Sequence, residues 1–236
     1  MSLLSFTFTN TSAIGSKNYF KIGVTFVLTD PKAIKIIQAA KQKNVRDPRR
    51  SRVHFENILS AFFSDVTLDG RYLDLGPGQF DFGELAREQG GTCMGVDFDP
   101  PVLELGRYKG FDTLELNLKA LPKHDFDETF DGVFNKFALN AFWTGHDADG
   151  QLKMAQAIDA LIKPGGWGWL APWNGAPKAT TLSQKEQQDV LNLQKDSFEA
   201  CGFETVVLTR AQLKAYGVNG NVANNVVYIK NLSHKP

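Results

Sequence analysis

Cysteine and histidine are scarce in this chain and are nowhere grouped. The 236 residues include two cysteines, Cys93 and Cys201, and four histidines that lie far apart in the sequence. A metal site of the zinc type needs closely spaced Cys, His or carboxylate ligands, and no such spacing occurs. We therefore expect no bound metal, and we interpret the two cysteines as reduced core residues of an intracellular protein.

Net charge and long apolar runs are also absent. The 26 basic residues balance 26 acidic ones, which leaves no overall field to attract nucleic acid or anionic lipid. The basic cluster at residues 46–52 is interpreted as a solvated helix start. No apolar run approaches the roughly 18 residues of a membrane span, and the first twenty residues lack the features of a signal peptide. We expect a soluble cytoplasmic protein with neither a nucleic-acid nor a membrane partner.

The stretch RYLDLGPGQFDF, residues 71–82, joins a short apolar run to a Gly-Pro-Gly turn and an apparent helix start. Glycine allows positive φ and lets a ligand approach the backbone closely. A phosphate-binding loop of the Walker type is excluded, because Pro77 has no N–H to donate and no Lys-Ser or Lys-Thr follows. The dinucleotide fingerprint is incomplete, because Asp81 stands where a third small residue is required. The turn suits a ligand that packs on glycine backbone without placing a pyrophosphate at the helix start.

Strand-like and helix-like segments alternate from Arg71 onward. This alternation predicts an α/β fold with a doubly wound, mostly parallel sheet, whose ligand site lies beyond the carboxyl ends of the strands. The last two strand candidates, residues 203–210 and 224–231, lack a complete crossover helix between them. We therefore expect seven strands with an antiparallel last strand. We divide the chain into a partly helical N-terminal extension, residues 1–66, that covers the active site, and one domain, residues 67–236.

Several helix boundaries follow from proline and glycine. Pro31 favours a helix start, and the pattern after it predicts a helix over residues 31–44. A second apolar face begins at Val53. A helix over residues 147–166 is expected to stop at Pro164, and the run WGWLAPW after it reads as the fifth strand.

Polar side chains mark the ends of three neighbouring strands. Asp97 ends the second strand, where a carboxylate can accept hydrogen bonds from both hydroxyls of a ribose; a helix N-cap is the alternative, for which Asp99 is the better candidate. Asn117 and Leu118 end the third strand and could contact the edge and face of an adenine, although Asn117 could equally be a turn residue. Asn135, at the tip of the fourth strand, faces the reaction centre.

The order of these features resembles the class I S-adenosylmethionine-dependent methyltransferases, and the nearest likeness is to small-molecule enzymes with a Type 11-like core. The likeness covers residues 71–172 well and extends more loosely to the end of the chain. It implies S-adenosylmethionine as the cofactor, with its methionine part on the Asp74–Gly78 loop, its ribose on Asp97 and its adenine against Phe98. The cofactor residues that it implies are Asp74, Gly76, Pro77, Gly78, Asp97, Phe98, Asn117, Leu118 and Asn135. The chain departs from the family pattern at Phe80, in place of the third glycine, and at Asn117, in place of an acidic residue.

The acceptor side of the resemblance lies over the tips of the fourth and fifth strands. His146 and Lys136 are the candidate catalytic residues, although either could be a solvated surface residue instead. Trp143 and Trp173 could line a pocket for a flat or sugar-like acceptor, although tryptophan is usually core. The leading hypothesis is in-line methyl transfer to the oxygen or nitrogen of a small molecule. The alternatives are a non-catalytic protein that keeps the cofactor pocket and, less favoured by the loop, a nicotinamide-dependent oxidoreductase.

Overall fold

The computed structural model describes residues 28–43, 45–46, 67–136, 138, 148–171, 183–209, 211 and 225–231. The helices are α1 (Pro31–Gln38), α2 (Asp81–Glu88), α3 (Pro100–Tyr108), α4 (Ala148–Asp159) and α5 (Gln184–Ala200), with a 3-10 helix over Leu118–Lys123. The strands are β1 (Arg71–Leu75), β2 (Thr92–Asp97), β3 (Asp112–Glu115), β4 (Phe130–Lys136), β5 (Ile162–Ala171), β6 (Phe203–Thr209) and β7 (Asn225–Asn231). No helix among these residues is both long and apolar enough to cross a membrane.

The strands form one sheet in the order β3-β2-β1-β4-β5-β7-β6. The first five strands are parallel to one another, and β7 runs antiparallel to both of its neighbours, β5 and β6. The order reverses at β1, so the carboxyl ends of β1, β2 and β4 meet at the switch point where ligands bind to such sheets.

Each face of the sheet is covered by its own group of helices. Side chains of α1, α2 and α3 pack with Tyr72, Phe134 and Trp169 on one face. The 3-10 helix, α4 and α5 pack with Leu73 and Val133 on the other face. Because both faces are buried, the central strands are nearly continuous apolar runs, as parallel sheets require.

The helix predicted to reach Pro164 ends at Asp159, and Pro164 lies inside β5. Ile162 pairs with Phe130 and Trp167 pairs with Gly132, so the residues between Ile162 and Trp167 bulge out of the ladder. A proline is tolerated at a bulge because no ladder hydrogen bond is needed from its nitrogen. The prediction therefore placed both the helix end and the strand start too late.

The N-terminal helix was also predicted too long. It begins at Pro31 as expected, with Asp30 as its N-cap, but ends at Gln38 rather than at residue 44. Its buried face, which includes Ile36 and Ile37, joins the core cluster that contains Phe80 and Val102. The helix expected from Val53 lies outside the described residues.

Candidate cofactor site

The glycine turn that follows β1 has left-handed backbone geometry at several positions. Gly76 has φ of +78° and Gly78 has φ of +57°, a region that side chains other than glycine enter at a cost. The N–H of Gly76 donates to the carbonyl of Val96 at 2.8 Å, which ties the turn to the end of β2. A Cβ on Gly76 would lie 2.0 Å from Cβ of Ala138. The turn therefore requires glycine at Gly76 both for its φ and for its close contact.

Phe80 explains why the third glycine of the family pattern is missing. Its backbone is left-handed, with φ of +66°, and its side chain is fully buried. The ring stacks on Phe111 with centroids 5.1 Å apart. A Cβ on Gly95 would lie 2.4 Å from the ring, and one on Gly106 would lie 2.3 Å from it. Two glycines on neighbouring elements thus make room for one phenylalanine, and the ring enters the core instead of the ligand side.

Asp97 ends β2 beside the glycine turn, because Leu75 and Val96 are register partners in the parallel β1–β2 pair. Its Oδ1 accepts the N–H of Asp99 at 2.9 Å. Burial raises the pKa of the Asp97 carboxyl above its ordinary value, against the opposing effect of backbone N–H groups and of Lys41. The side chain is only partly buried, so its carboxylate remains open to a ligand.

Asp99 occupies the N-cap position of α3 without capping it. Its side chain makes no hydrogen bond to the first turn of the helix, which corrects the prediction that Asp99 is the cap. Instead, Oδ2 accepts the backbone N–H of Lys41 at 2.6 Å, and Oδ1 is buried without a partner. No sequence signal indicated this contact, because the two residues are 58 positions apart.

The residues predicted at the adenine differ in exposure. The ring of Phe98 is 37% exposed, with the ammonium of Lys41 5.0 Å from its centroid. Asn117 is exposed, and its Oδ1 accepts the N–H of Lys119 at 3.0 Å at the start of the 3-10 helix, which is the turn role left open from the sequence. Leu118 is buried in the core cluster under α4 and α5. Of these three residues, Phe98 and Asn117 are exposed and Leu118 is not.

Asn135 is fully buried at the tip of β4, and only one of its two polar side-chain atoms is hydrogen-bonded. Its Nδ2 donates to the carbonyl of Leu75 at 2.7 Å, and its Oδ1 has no hydrogen-bond partner. A buried amide oxygen without a donor is costly. Because Leu75 immediately precedes the glycine turn, this free acceptor lies at the edge of the sheet where a ligand would bind.

Other predicted residues extend the site or fall outside it. Asp74 is buried in β1, in register with Gly95 and Phe134, Pro77 is buried in the turn, and Lys136 ends β4 partly buried. The candidate acceptor-side residues Trp143, His146 and Trp173 lie outside the described residues. The described residues therefore include the candidate cofactor residues and, of the acceptor-side candidates, Lys136.

Residues 73–170 match a family model described as a methyltransferase domain. The match runs from β1 to β5 and includes the glycine turn, Asp97 and the tip of β4. The chain therefore contains a methyltransferase domain. A domain of this kind implies S-adenosylmethionine as the cofactor, and the glycine turn, the partly exposed Phe98 and the unsatisfied Asn135 Oδ1 fit such a group.

Solved structures agree with this methyltransferase fold. A methyltransferase from Pyrococcus furiosus is 11% identical, with 78% of this chain and 84% of that chain covered and a TM-score of 0.51. The PH0226 protein from Pyrococcus horikoshii OT3 is 15% identical, with 76% and 90% covered and a TM-score of 0.51. At these identities the likeness concerns the fold alone. No curated protein matches the sequence of this methyltransferase.

Proposed function

We propose that the protein transfers the methyl group of S-adenosylmethionine to an oxygen or nitrogen atom of a small molecule by in-line displacement. The observation that carries this proposal is the β1–β2 register, which brings the Gly76–Gly78 turn beside the Asp97 carboxylate. A turn with glycine at two of its three positions, next to a carboxylate, fits a ligand that has both a thin aliphatic part and a ribose.

Each part of the cofactor has proposed partners in this site. The methionine part lies on the turn from Gly76 through Pro77 to Gly78, with Asp74 beneath it. Asp97 accepts hydrogen bonds from the ribose hydroxyls. The adenine lies against Phe98, with Asn117 at its edge and Leu118 against its face. Asn135 completes the site, because its unpartnered Oδ1 can accept a hydrogen bond from an N–H group of the cofactor.

Methyl transfer from a sulfonium places modest demands on protein chemistry. The leaving sulfur departs neutral, so no acid is required, and alignment of nucleophile, methyl and sulfur is the main contribution. A base assists when the acceptor is a hydroxyl group. We propose Lys136 and His146 for that role, and Trp143 and Trp173 as walls of the acceptor pocket.

A small-molecule acceptor is consistent with a site that is covered by the chain itself. We propose that residues 1–66 form an extension over the active site and that residues 67–236 form the methyltransferase domain, whose seven-stranded sheet with a reversed last strand is that of the family. The described part of the extension supports this arrangement, because Val45 accepts a hydrogen bond from Gln79 at 2.8 Å beside the glycine turn.

Two experiments test the proposal in sequence. Isothermal titration with S-adenosylhomocysteine and with NAD tests the cofactor, and binding of NAD alone would contradict the proposal. Incubation with methyl-labelled S-adenosylmethionine and separate metabolite, RNA and protein fractions then tests the acceptor. We expect label only in the metabolite fraction. Label in RNA or protein would contradict the small-molecule acceptor, and binding without any transfer would indicate a non-catalytic protein.

A further inference from the structure

The segment after α1 lies against both walls of the cofactor site. We call residues 39–43 and 45–46 the strap. Gln79, which is 4% exposed and directly follows the Gly76–Gly78 turn, donates from Nε2 to the carbonyl of Val45 at 2.8 Å. Asp99, which is 1% exposed and lies two residues beyond Asp97, accepts the N–H of Lys41 at 2.6 Å. One hydrogen bond thus joins the strap to each wall.

Two hydrogen bonds of Asp99 connect the ribose carboxylate proposed at Asp97 with the strap. Its backbone N–H donates to Oδ1 of Asp97, which orients the carboxylate proposed to hold the ribose. Its side chain accepts the N–H of Lys41, which orients the strap. A carboxylate buried to this degree is costly unless its hydrogen bonds offset the burial. The side chain of Asp99 makes no hydrogen bond to the helix that it precedes, so the backbone of the strap is the partner of this carboxylate.

The side chain of Lys41 shows where the strap lies relative to the cofactor. Its ammonium is 5.0 Å from the ring centroid of Phe98 and is close enough to Asp97 to oppose the effect of burial on the pKa of that carboxyl. The strap therefore passes over the two residues proposed to hold the adenosine.

We propose that Asp99 is a positioning residue that couples the strap to the ribose carboxylate, and that the strap forms an outer wall of the adenosine part of the cofactor site. The inference rests on the proposed cofactor site at Asp97. Bound cofactor and closed strap then stabilise each other, because both depend on the same bonded residue. The anchor is the backbone N–H of Lys41, whereas its ammonium is an auxiliary.

The test combines cofactor affinity with protease protection of the strap. Trypsin cleaves after Lys43 and Arg46, both exposed, and Lys185 at the start of α5 provides a control site away from the strap. In the parent protein, saturating S-adenosylhomocysteine should slow cleavage at Lys43 and Arg46 and leave Lys185 unchanged. Asp99→Ala should abolish this protection and weaken S-adenosylhomocysteine binding roughly tenfold, the lower range for loss of a hydrogen bond to a charged group.

Conservative variants separate positioning from simple damage to the fold. Asp99→Asn keeps an oxygen that can accept the Lys41 N–H, so protection should return and affinity should lie within about threefold of the parent value. Lys41→Ala keeps the N–H and should behave likewise. Lys41→Pro removes the donor without touching the core, and should reproduce Asp99→Ala even if that buried variant does not fold.

The outcomes distinguish this inference from the proposed function. If the parent does not bind S-adenosylhomocysteine, or if Asp97→Asn binds it as the parent does, the cofactor site itself is misplaced. If Asp97→Asn weakens binding while Lys41→Pro retains full affinity and ligand-dependent protection, only the role of Asp99 and the strap is wrong. Equal cleavage of the parent strap with and without ligand would also overturn the inference.

Discussion

Asp97 serves two opposed requirements at once. Burial raises the pKa of its carboxyl, which means that the folded protein holds the neutral form more readily than the unfolded chain does. To accept two ribose hydroxyls, however, the group has to be ionised. The stability from this raised pKa is present at low pH and is lost as pH rises through the folded-state pKa. The proposed ribose contact therefore needs the ionised form of Asp97, which the folded protein disfavours relative to the unfolded chain.

We predict that Asp97→Asn weakens S-adenosylhomocysteine binding by about 1.5–3 kcal/mol, the range for hydrogen bonds to a charged group. The empty variant should be at least as stable as the parent at pH 7, because the amide oxygen can still accept the Asp99 N–H without a buried charge. Titration calorimetry and urea unfolding measure the two effects. A variant that loses stability and keeps its affinity would indicate that Asp97 is a structural turn residue.

The glycine turn, β2 and α3 pack around the ring of Phe80. Phe80 enters from the turn, Gly95 and Gly106 provide the space, and Phe111 closes the stack. Helix propensity alone favours alanine over glycine by about 1 kcal/mol at an interior position. Alanine is disfavoured here because its Cβ at position 106 would lie 2.3 Å from the Phe80 ring, which is closer than Cβ contacts occur in proteins.

Gly106→Ala should therefore destabilise the protein by about 1–3 kcal/mol, the usual cost of overpacking a core, despite its helical gain. Gly83→Ala is a matched helical control, since its Cβ would meet Phe111 at 3.1 Å and a small shift of the ring accommodates it. Chemical denaturation of both variants measures the difference. A stabilised Gly106→Ala protein would mean that Phe80 does not occupy this space.

Local signals predicted the glycine turn and the end of β2 at Asp97, whereas the third strand ends at Glu115 rather than at Leu118, and distant contacts were not predicted at all. Glycines after an apolar run and a carboxylate after the next strand are features of adjacent residues, so the positions of Gly76, Gly78 and Asp97 could be foreseen. The β5 start was missed because Pro164 stops a helix as readily as it occupies a bulge. The left-handed Phe80 and the Lys41–Asp99 bond depend on packing between separate segments, which no local pattern encodes.

The two ends of the parallel strands carry different kinds of polar residues. The carboxyl ends of the parallel strands hold the candidate cofactor site. At the amino ends, Asp131 accepts the N–H of Arg71 and pairs with Lys163, while the Arg71 guanidinium pairs with Glu128. Burial acts to raise the pKa of Asp131, but these partners outweigh it and hold the pKa below its ordinary value of 3.8.

Asp131→Asn should lower the stability at neutral pH. It should not change the affinity for S-adenosylhomocysteine, because residue 131 lies at the amino end of β4, away from the candidate cofactor site. A lowered pKa contributes stability that is present above the ordinary value and is lost as pH falls through the folded-state value. The gap in unfolding free energy between parent and variant should therefore narrow as the pH is taken below about 4. A gap that is constant with pH would attribute the loss to geometry rather than to charge.

Ligand binding should stabilise the domain by an amount that grows with the logarithm of the free ligand concentration above the dissociation constant. At about 100 times the dissociation constant, S-adenosylhomocysteine should add about 2.7 kcal/mol, which corresponds to a rise in Tm of about 5–10 °C for a chain of this size. Differential scanning fluorimetry measures the shift, and NAD at the same concentration serves as the control. An equal shift with NAD would contradict the cofactor assignment.

The position of β7 has a consequence for how the protein is made. The last strand of the chain is inserted between β5 and β6, and β6 has β7 as its neighbour in the sheet. Before β7 has emerged from the ribosome, β5 is an edge strand with one unpaired side. At that stage β6 has no strand to pair with, because its neighbour in the sheet is β7. The sheet becomes continuous only after β7 has been synthesised. Until then, the unpaired backbone groups of β5 and β6 can pair with other chains. Fast synthesis or chaperones are needed to prevent such aggregation.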